Sequence, residues 1–259
     1  MYLYLDHDTW VHRLHPVVRL LGMASVFVAA FVTERPLWQL PITATLAALL
    51  TWTGALANVY RLRFLFALIF AMTALIWTLF YGPDGAPPLA AWGPFTISRT
   101  APWFALGMAL KLDGFLAAGI LFLSVTRIEE FAYALNRLGM PYRVGFTMTM
   151  AFRLVPVFVD AAATVVQAQR CRGLDFERGS VWERARRYVP IMVPVFMGAL
   201  RRADQMAMTL DARGFQARTP RTELETHPVR WLDAVVAAAL VLAAAVYLAL
   251  WRAGILSLR

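Results

Sequence analysis

The sequence is poor in charge, in cysteine and in lysine, and it lacks a phosphate-binding loop and two common catalytic signatures. Only 16% of its 259 residues are charged and 60% are hydrophobic, against about 25% and about half in soluble domains. That balance excludes an ordinary soluble domain and fits a membrane protein. The one cysteine, Cys171, excludes an internal disulfide and leaves too few thiols for a structural zinc site. Lysine occurs once, as Lys111, so 24 of the 25 basic residues are Arg. No Gly-x-x-x-x-Gly-Lys-Ser/Thr loop is present, so the chain is not expected to bind or hydrolyse ATP. Neither Gly-x-Ser-x-Gly nor His-Glu-x-x-His occurs, and no catalytic residue is assigned. His7, His12 and His15 cluster near the start and His227 lies far along the chain. No acidic or thiol ligand shares a helical face with them, so no metal site is read there. Asp6 and Asp8 precede the first apolar run where a signal peptide would be basic, so no cleavage is expected.

What is present is a set of long apolar runs. Five stand out, at residues 17–32, 37–60, 64–81, 103–125 and 231–251. A bilayer span needs about 20 apolar residues. The first run is short and carries Arg19, expected to snorkel to the interface. Trp38, Trp103, Trp231 and Trp251 sit at run ends, where an aromatic belt places them. Residues 82–102 hold five prolines and three glycines and read as an irregular loop.

Arginine placement orients the spans. Arg13, Arg19, Arg61 and Arg63 fall on one side, with 16 Arg against 10 acidic residues between 127 and 230, a local +6. The opposite loops carry only Arg35 and Arg99. The positive-inside rule places the N-terminus and residues 127–230 in the cytoplasm and makes this a multi-pass cell-membrane protein. The overall charge of +9 then points to anionic lipid or an acidic protein. The apolar runs argue against nucleic acid.

Within 127–230 three helices are expected, over 127–138, 142–172 and about 195–213, each stopped by a glycine at 139, 173 or 214. Arg153, Asp160 and Gln167 recur every seven residues as one polar stripe, and Pro156 is expected to bend that helix. Ala199, Ala203 and Ala207 form a small-residue stripe suited to close helix approach. Asp204 and Asp211 share a face near Arg201 and Arg202, which reads as internal ion pairing. The strongest signal is an echo. Gln169-Arg170-Cys171-Arg172-Gly173 ends one helix and Asp211-Ala212-Arg213-Gly214 ends the next, 41 residues later. Ordinary capping explains one copy, since Gly takes the left-handed position and Arg favours the negative end of the helix dipole. Two copies in the most basic region read as guanidinium groups presented to carboxylates of a partner. The two readings are compatible, because the cap fixes where the Arg points.

These stretches resemble the transmembrane T component of energy-coupling factor (ECF) transporters, importers driven by ABC-type ATPases. The resemblance is carried by residues 134–141 (Ala-Leu-Asn-Arg-Leu-Gly-Met-Pro), 150–156, 168–176, 200–207 and 211–215, with a basic residue and Pro at 13–16. Cys171 departs from the Ala usual there; both are small. The resemblance implies that two ABC-type ATPase subunits dock at Cys171-Arg172-Gly173 and Ala212-Arg213-Gly214. Arg153, Pro156, Arg170 and Asp204 would support those helices. A membrane-embedded substrate-binding S component would take the vitamin or metal ion, and ATP and Mg would be bound by the partner ATPases, with no cofactor in this chain.

The expected architecture is an all-α membrane protein of about five transmembrane helices plus cytoplasmic amphipathic coupling helices. Its parts are transmembrane helices over 1–126, the coupling region over 127–230 and a final helix over 231–259. Two rivals remain at the sequence level. One is a stand-alone secondary transporter using the intramembrane Lys111 and Asp113, although residues two apart do not face each other on a helix. The other is a membrane enzyme acting on lipid, with the Arg cluster binding phosphate. The missing internal repeat and missing catalytic constellation count against each in turn.

Overall fold

A computed structural model describes residues 4–5, 7, 9–81, 88–92, 95–98, 100–174, 180–215 and 228–254. Asp6, Asp8, Arg99, Asp175, Phe176 and His227, used in the sequence reading, lie outside the described residues. The elements, in order, are α1 (Pro16–Val32), α2 (Pro36–Trp52), α3 (Leu56–Arg61), α4 (Arg63–Phe80), β1 (Pro88–Trp92), β2 (Phe95–Ser98), α5 (Ala101–Val125), α6 (Ile128–Arg137), α7 (Tyr142–Cys171), α8 (Val181–Ala212) and α9 (Trp231–Arg252). They fall into two compact units, Met1–Met140 with His227–Arg259, and Pro141–Thr226. Composition drew those boundaries at 126 and 230; the structure leaves α6 in the unit that holds the apolar helices.

Among the described residues, four helices are long and apolar enough to cross a membrane: α4, α5, α7 and α9. The chain is an all-α membrane protein with one small exception. Residues 88–98, expected to be irregular, contain an antiparallel hairpin pairing Ala91 with Thr96 and Trp92 with Phe95, with a register shift between Pro88 and Ala90. Only β2, Phe-Thr-Ile-Ser, is rich in strand-forming residues, and its partner Pro-Leu-Ala-Ala-Trp carries little local strand signal. The apolar run 37–60 is not one helix. Thr53–Ala55 turn, with Gly54 at φ +73°, and separate α2 from the six-residue α3. The 17 residues of α2, like the 17 of α1, reach about 26 Å. Conversely α7, read from its charge as a cytoplasmic helix, is 30 residues and apolar enough to cross. It runs unbroken through Pro156. α8 starts 14 residues before the expected 195 and carries Pro190 and Pro194 inside it.

In the first unit α5 packs against α1, α2 and α4, and α1 packs against α9. Small residues allow this. A Cβ on Gly107 would lie 2.7 Å from the Glu34 carbonyl oxygen, so α5 meets the α1–α2 turn only without a side chain there. Ala29, Ala30, Ile42, Leu46 and Ala118 form a buried cluster, and Phe104 stacks on Tyr81 at 4.0 Å.

Arg19 does not snorkel. Its side chain is 6% exposed. It donates from Nη1 to Glu130 Oε2 at 2.7 Å and to the Val125 carbonyl at 2.9 Å. It also donates from Nε to the Leu14 carbonyl at 2.9 Å and from Nη2 to the His12 carbonyl. One guanidinium thereby joins the start of α1, the end of α5 and α6. Asp233, 2% exposed, accepts from the His15 backbone N–H at 3.0 Å and the Arg230 N–H at 2.8 Å, tying α9 to α1.

Candidate functional site: two arginine-capped helix ends

The second unit is built from α7 and α8, which pack on each other. Both end in the same turn. At the end of α7, the Gly173 N–H donates to the Arg170 carbonyl at 2.9 Å and the Leu174 N–H to Gln169 at 3.1 Å. At the end of α8, Gly214 donates to Asp211 at 2.9 Å and Phe215 to Leu210 at 3.0 Å. The paired bonds satisfy carbonyls that a helix end otherwise leaves open, and they define a Schellman stop. Gly173 at φ +86° and Gly214 at φ +69° occupy the left-handed region, which side chains with a Cβ disfavour. Arg172 and Arg213 are the C-cap residues of the two helices. Each is exposed, as are Cys171, Gly173, Ala212 and Gly214 around them, whereas the apolar residues that follow, Leu174 and Phe215, are half-buried.

Phe215 gives the second tip a seat. Its ring lies 4.5 Å from that of Phe146 and 6.3 Å from Tyr142, in the first turns of α7. The end of α8 is thus held against the beginning of α7, and Arg213, two residues away, inherits that placement. Its aromatic partners are 69 and 73 residues distant in the chain, so nothing local in the sequence marks this seat.

Of the supporting residues, Arg153 and Asp204 are exposed on α7 and α8, Pro156 lies within α7 and Arg170 is exposed in its last turn. Asp204 makes no ion pair with Arg201 or Arg202. Ala203 and Ala207 are exposed on α8, so the small-residue stripe is not buried against α7. A third stop of the same kind closes α6, where Gly139 (φ +106°) donates to Asn136 and Met140 to Leu135, both at 3.1 Å.

Lys111 and Asp113 do not assemble into a relay. Lys111, 8% exposed, holds Nζ 5.2 Å from the Phe31 ring centroid, and Glu34 is the acidic side chain acting on it. Asp113 Oδ1 is buried with no hydrogen-bond partner. Of the N-terminal histidines, His12 and His15 serve the backbone. His12 Nε2 bonds the Leu5 carbonyl at 3.1 Å, and His15 Nδ1 accepts from the Val17 N–H at 3.2 Å. Burial lowers the His12 pKa below its ordinary value, helped by the Arg19 charge and opposed by the Leu5 carbonyl. Among the described residues no group of three or more His, Cys, Asp or Glu converges on a metal position.

Long apolar helices together with a helix pair that ends in two exposed, glycine-closed arginine tips define a membrane protein that carries positive charge at fixed helix ends. The profile of the CbiQ family, described as cobalt transport protein, matches residues 7–224, and the chain belongs to that family. It is 30% identical to the energy-coupling factor transporter transmembrane protein EcfT of Clostridium kluyveri over 233 residues, 86% of this chain and 85% of that protein. Against the EcfT of Bacillus selenitireducens the identity is 30% over 258 residues, covering 95% and 94%. A putative ABC transporter ATP-binding protein of Bifidobacterium longum is 30% identical over 253 residues, 93% of this chain but 32% of that longer protein. The likeness to ECF T components noted at the helix ends therefore extends along the chain.

Proposed function

We propose that this protein is the energy-coupling transmembrane subunit of an ECF-type ABC importer, passing ATP-driven motion of two partner ATPases to a membrane-embedded S component that binds a vitamin or a metal ion. The observation that carries this reading is the pair of exposed C-cap arginines, Arg172 and Arg213, on identical glycine-closed turns. A guanidinium offers a planar fork of donors matched to a carboxylate, and a fixed helix end spares much of the entropy of positioning it. A relative in which a chain like this one spans about a third of a protein named as ATP-binding supports the pairing with ATPases. ATP and Mg are bound by those partners, and this chain supplies no cofactor. The N-terminus and residues 127–230 face the cytoplasm of a multi-pass cell-membrane protein, as the arginine distribution favours.

The test is charge reversal at the tips. Co-expression with candidate ABC-type ATPases and purification through a tag on this chain is expected to recover the ATPases. Arg172→Glu with Arg213→Glu is expected to weaken that association by roughly 30-fold or more, the cost of opposing rather than pairing a docked charge, while membrane insertion persists. Wild-type recovery and uptake with the doubly reversed chain would reduce the two ends to simple caps.

A further inference from the structure

Among the described residues the first unit holds a cavity of about 240 Å³ between α1, α2, α5 and α9. It is an elongated slot. Val18, Gly22 and Val26 line it along one face of α1, and Ala118, Phe122 and Val125 along one face of α5. From Val18 to Val26 the helix rises about 12 Å. Gly22 gives the slot its width, since a Cβ there would lie 3.5 Å from Leu240 of α9. Arg19 is the one charged residue of the wall, and its guanidinium is bound to Glu130 and three backbone carbonyls. The slot therefore offers a ligand no unpaired charge. It also offers water little, because an ordered water needs roughly two to four polar partners. Apart from Arg19, the side chains of the wall bring only the Thr126 hydroxyl and the Trp10 indole N–H.

That hydroxyl is anomalous. Thr33 and Thr53, each 1% exposed, donate their hydroxyls to the carbonyl four residues back, at 2.7 Å and 2.8 Å. Thr126 is 5% exposed and its backbone N–H reaches the Phe122 carbonyl at 2.9 Å, yet its Oγ1 is buried with no hydrogen-bond partner. A buried hydroxyl left unpaired is destabilising. Its position suggests what would pair it. Thr126 caps α5, a helix long and apolar enough to cross a bilayer, and Trp10, 49% exposed, lines the same slot. The end of a spanning helix and an exposed Trp both belong at the depth where lipid glycerol and ester groups meet water. The guest that answers the apolar walls and the lone hydroxyl together is a hydrocarbon chain with a carbonyl acceptor at one end. We propose that this slot takes one acyl chain of a glycerophospholipid, the chain lying along α1 from Val18 to Val26 and its ester carbonyl accepting from Thr126 Oγ1. Met23, Val26 and Leu240 are only half-buried and give the chain its way in from surrounding lipid. The headgroup stays outside the slot, so its charge is not selected. The site lies wholly in the first unit and stands whether or not ATPases dock at the arginine caps.

The full chain, in neutral detergent, is titrated with ester-linked phosphatidylcholine, its ether-linked analogue or ester-linked phosphatidylglycerol, and bound lipid is counted by native mass spectrometry. Saturable retention of one ester-linked lipid is expected, with equal affinity for phosphatidylcholine and phosphatidylglycerol. The ether analogue lacks the carbonyl and is expected to bind about five-fold more weakly, one hydrogen bond's worth. Thr126→Val keeps the shape, removes the hydroxyl and is expected to erase that preference for the ester, while Thr126→Ser is expected to keep it. Gly22→Leu fills the slot and is expected to remove the retained lipid from the count. The control Ala239→Leu, exposed on α9 outside the slot, is expected to leave it there. Should Gly22→Leu fail to fold, Leu49→Phe narrows the slot from α2, with the same loss expected. Parental retention by whichever filled variant folds would overturn the proposal. So would equal affinity of the parent for ester and ether lipids, or an ester preference that survives Thr126→Val. A preference for phosphatidylglycerol over phosphatidylcholine would make this a headgroup site and overturn it as well.

Discussion

Arg19 shows how much one side chain can carry in a chain this poor in charge. Its guanidinium reaches Glu130 and three backbone carbonyls from a position with almost no solvent. A buried ion pair adds little net stability over an apolar pair of the same volume, but removing one partner leaves a buried charge uncompensated. Arg19→Met is expected to cost about 3 kcal/mol, read as a lowered thermal midpoint in detergent. Arg19→Met with Glu130→Leu should recover most of that loss. A double variant no more stable than the single one would show that the carbonyl contacts, and not the charge pair, dominate.

At the scale of elements, α8 owes its early start to a device present in plain view. Ser180 accepts from the Glu183 N–H at 3.4 Å, and the Ser180 N–H donates to Glu183 Oε2 at 3.0 Å. This is the reciprocal capping box that Ser-x-x-Glu encodes. Ser180→Ala is expected to destabilise the start of α8 by about 1 kcal/mol. Faster amide exchange over the first two turns, with α7 unaffected, is the measurement that checks it. Helix stops were legible because glycine in the left-handed region is a strong local signal: residues 139, 173 and 214 all hold it. The start of α8 lies before the expected 195, and Pro190 and Pro194 both lie inside the helix. The break after α2 was missed because hydropathy is blind to the backbone turn at Gly54. The two arginine-capped helix ends themselves were readable from spacing. The aromatic seat of Phe215 was not, since Tyr142 and Phe146 are about 70 residues away in sequence and meet it only when α7 and α8 pack.

For the whole molecule, the open question is which side of the membrane each part occupies, and the sole thiol answers it. Cys171 is exposed one residue before the first arginine cap. With residues 127–230 in the cytoplasm, a membrane-impermeant maleimide is expected to label inverted vesicles and to leave intact cells unlabelled. Labelling from the outer face alone would mean that α7, which has the length and apolarity to do so, carries its end across the bilayer. Bound ATPase should slow labelling of the inverted vesicles, because the thiol sits beside the cap it would cover.

The stop that closes α6 supplies a comparison that nature has already set up. Its hydrogen-bond pattern is that of the two tips, and its glycine is likewise left-handed. The residue at its cap, however, is Leu138 rather than arginine. Shape and charge, which coincide at Arg172 and Arg213, are separated there. Among the described residues, a partner that recognised the full turn alone would find it at α6, α7 and α8, and one that recognises a guanidinium on that turn finds it at α7 and α8. Leu138→Arg would therefore test whether the turn with a guanidinium suffices, with the backbone held constant as its own blank.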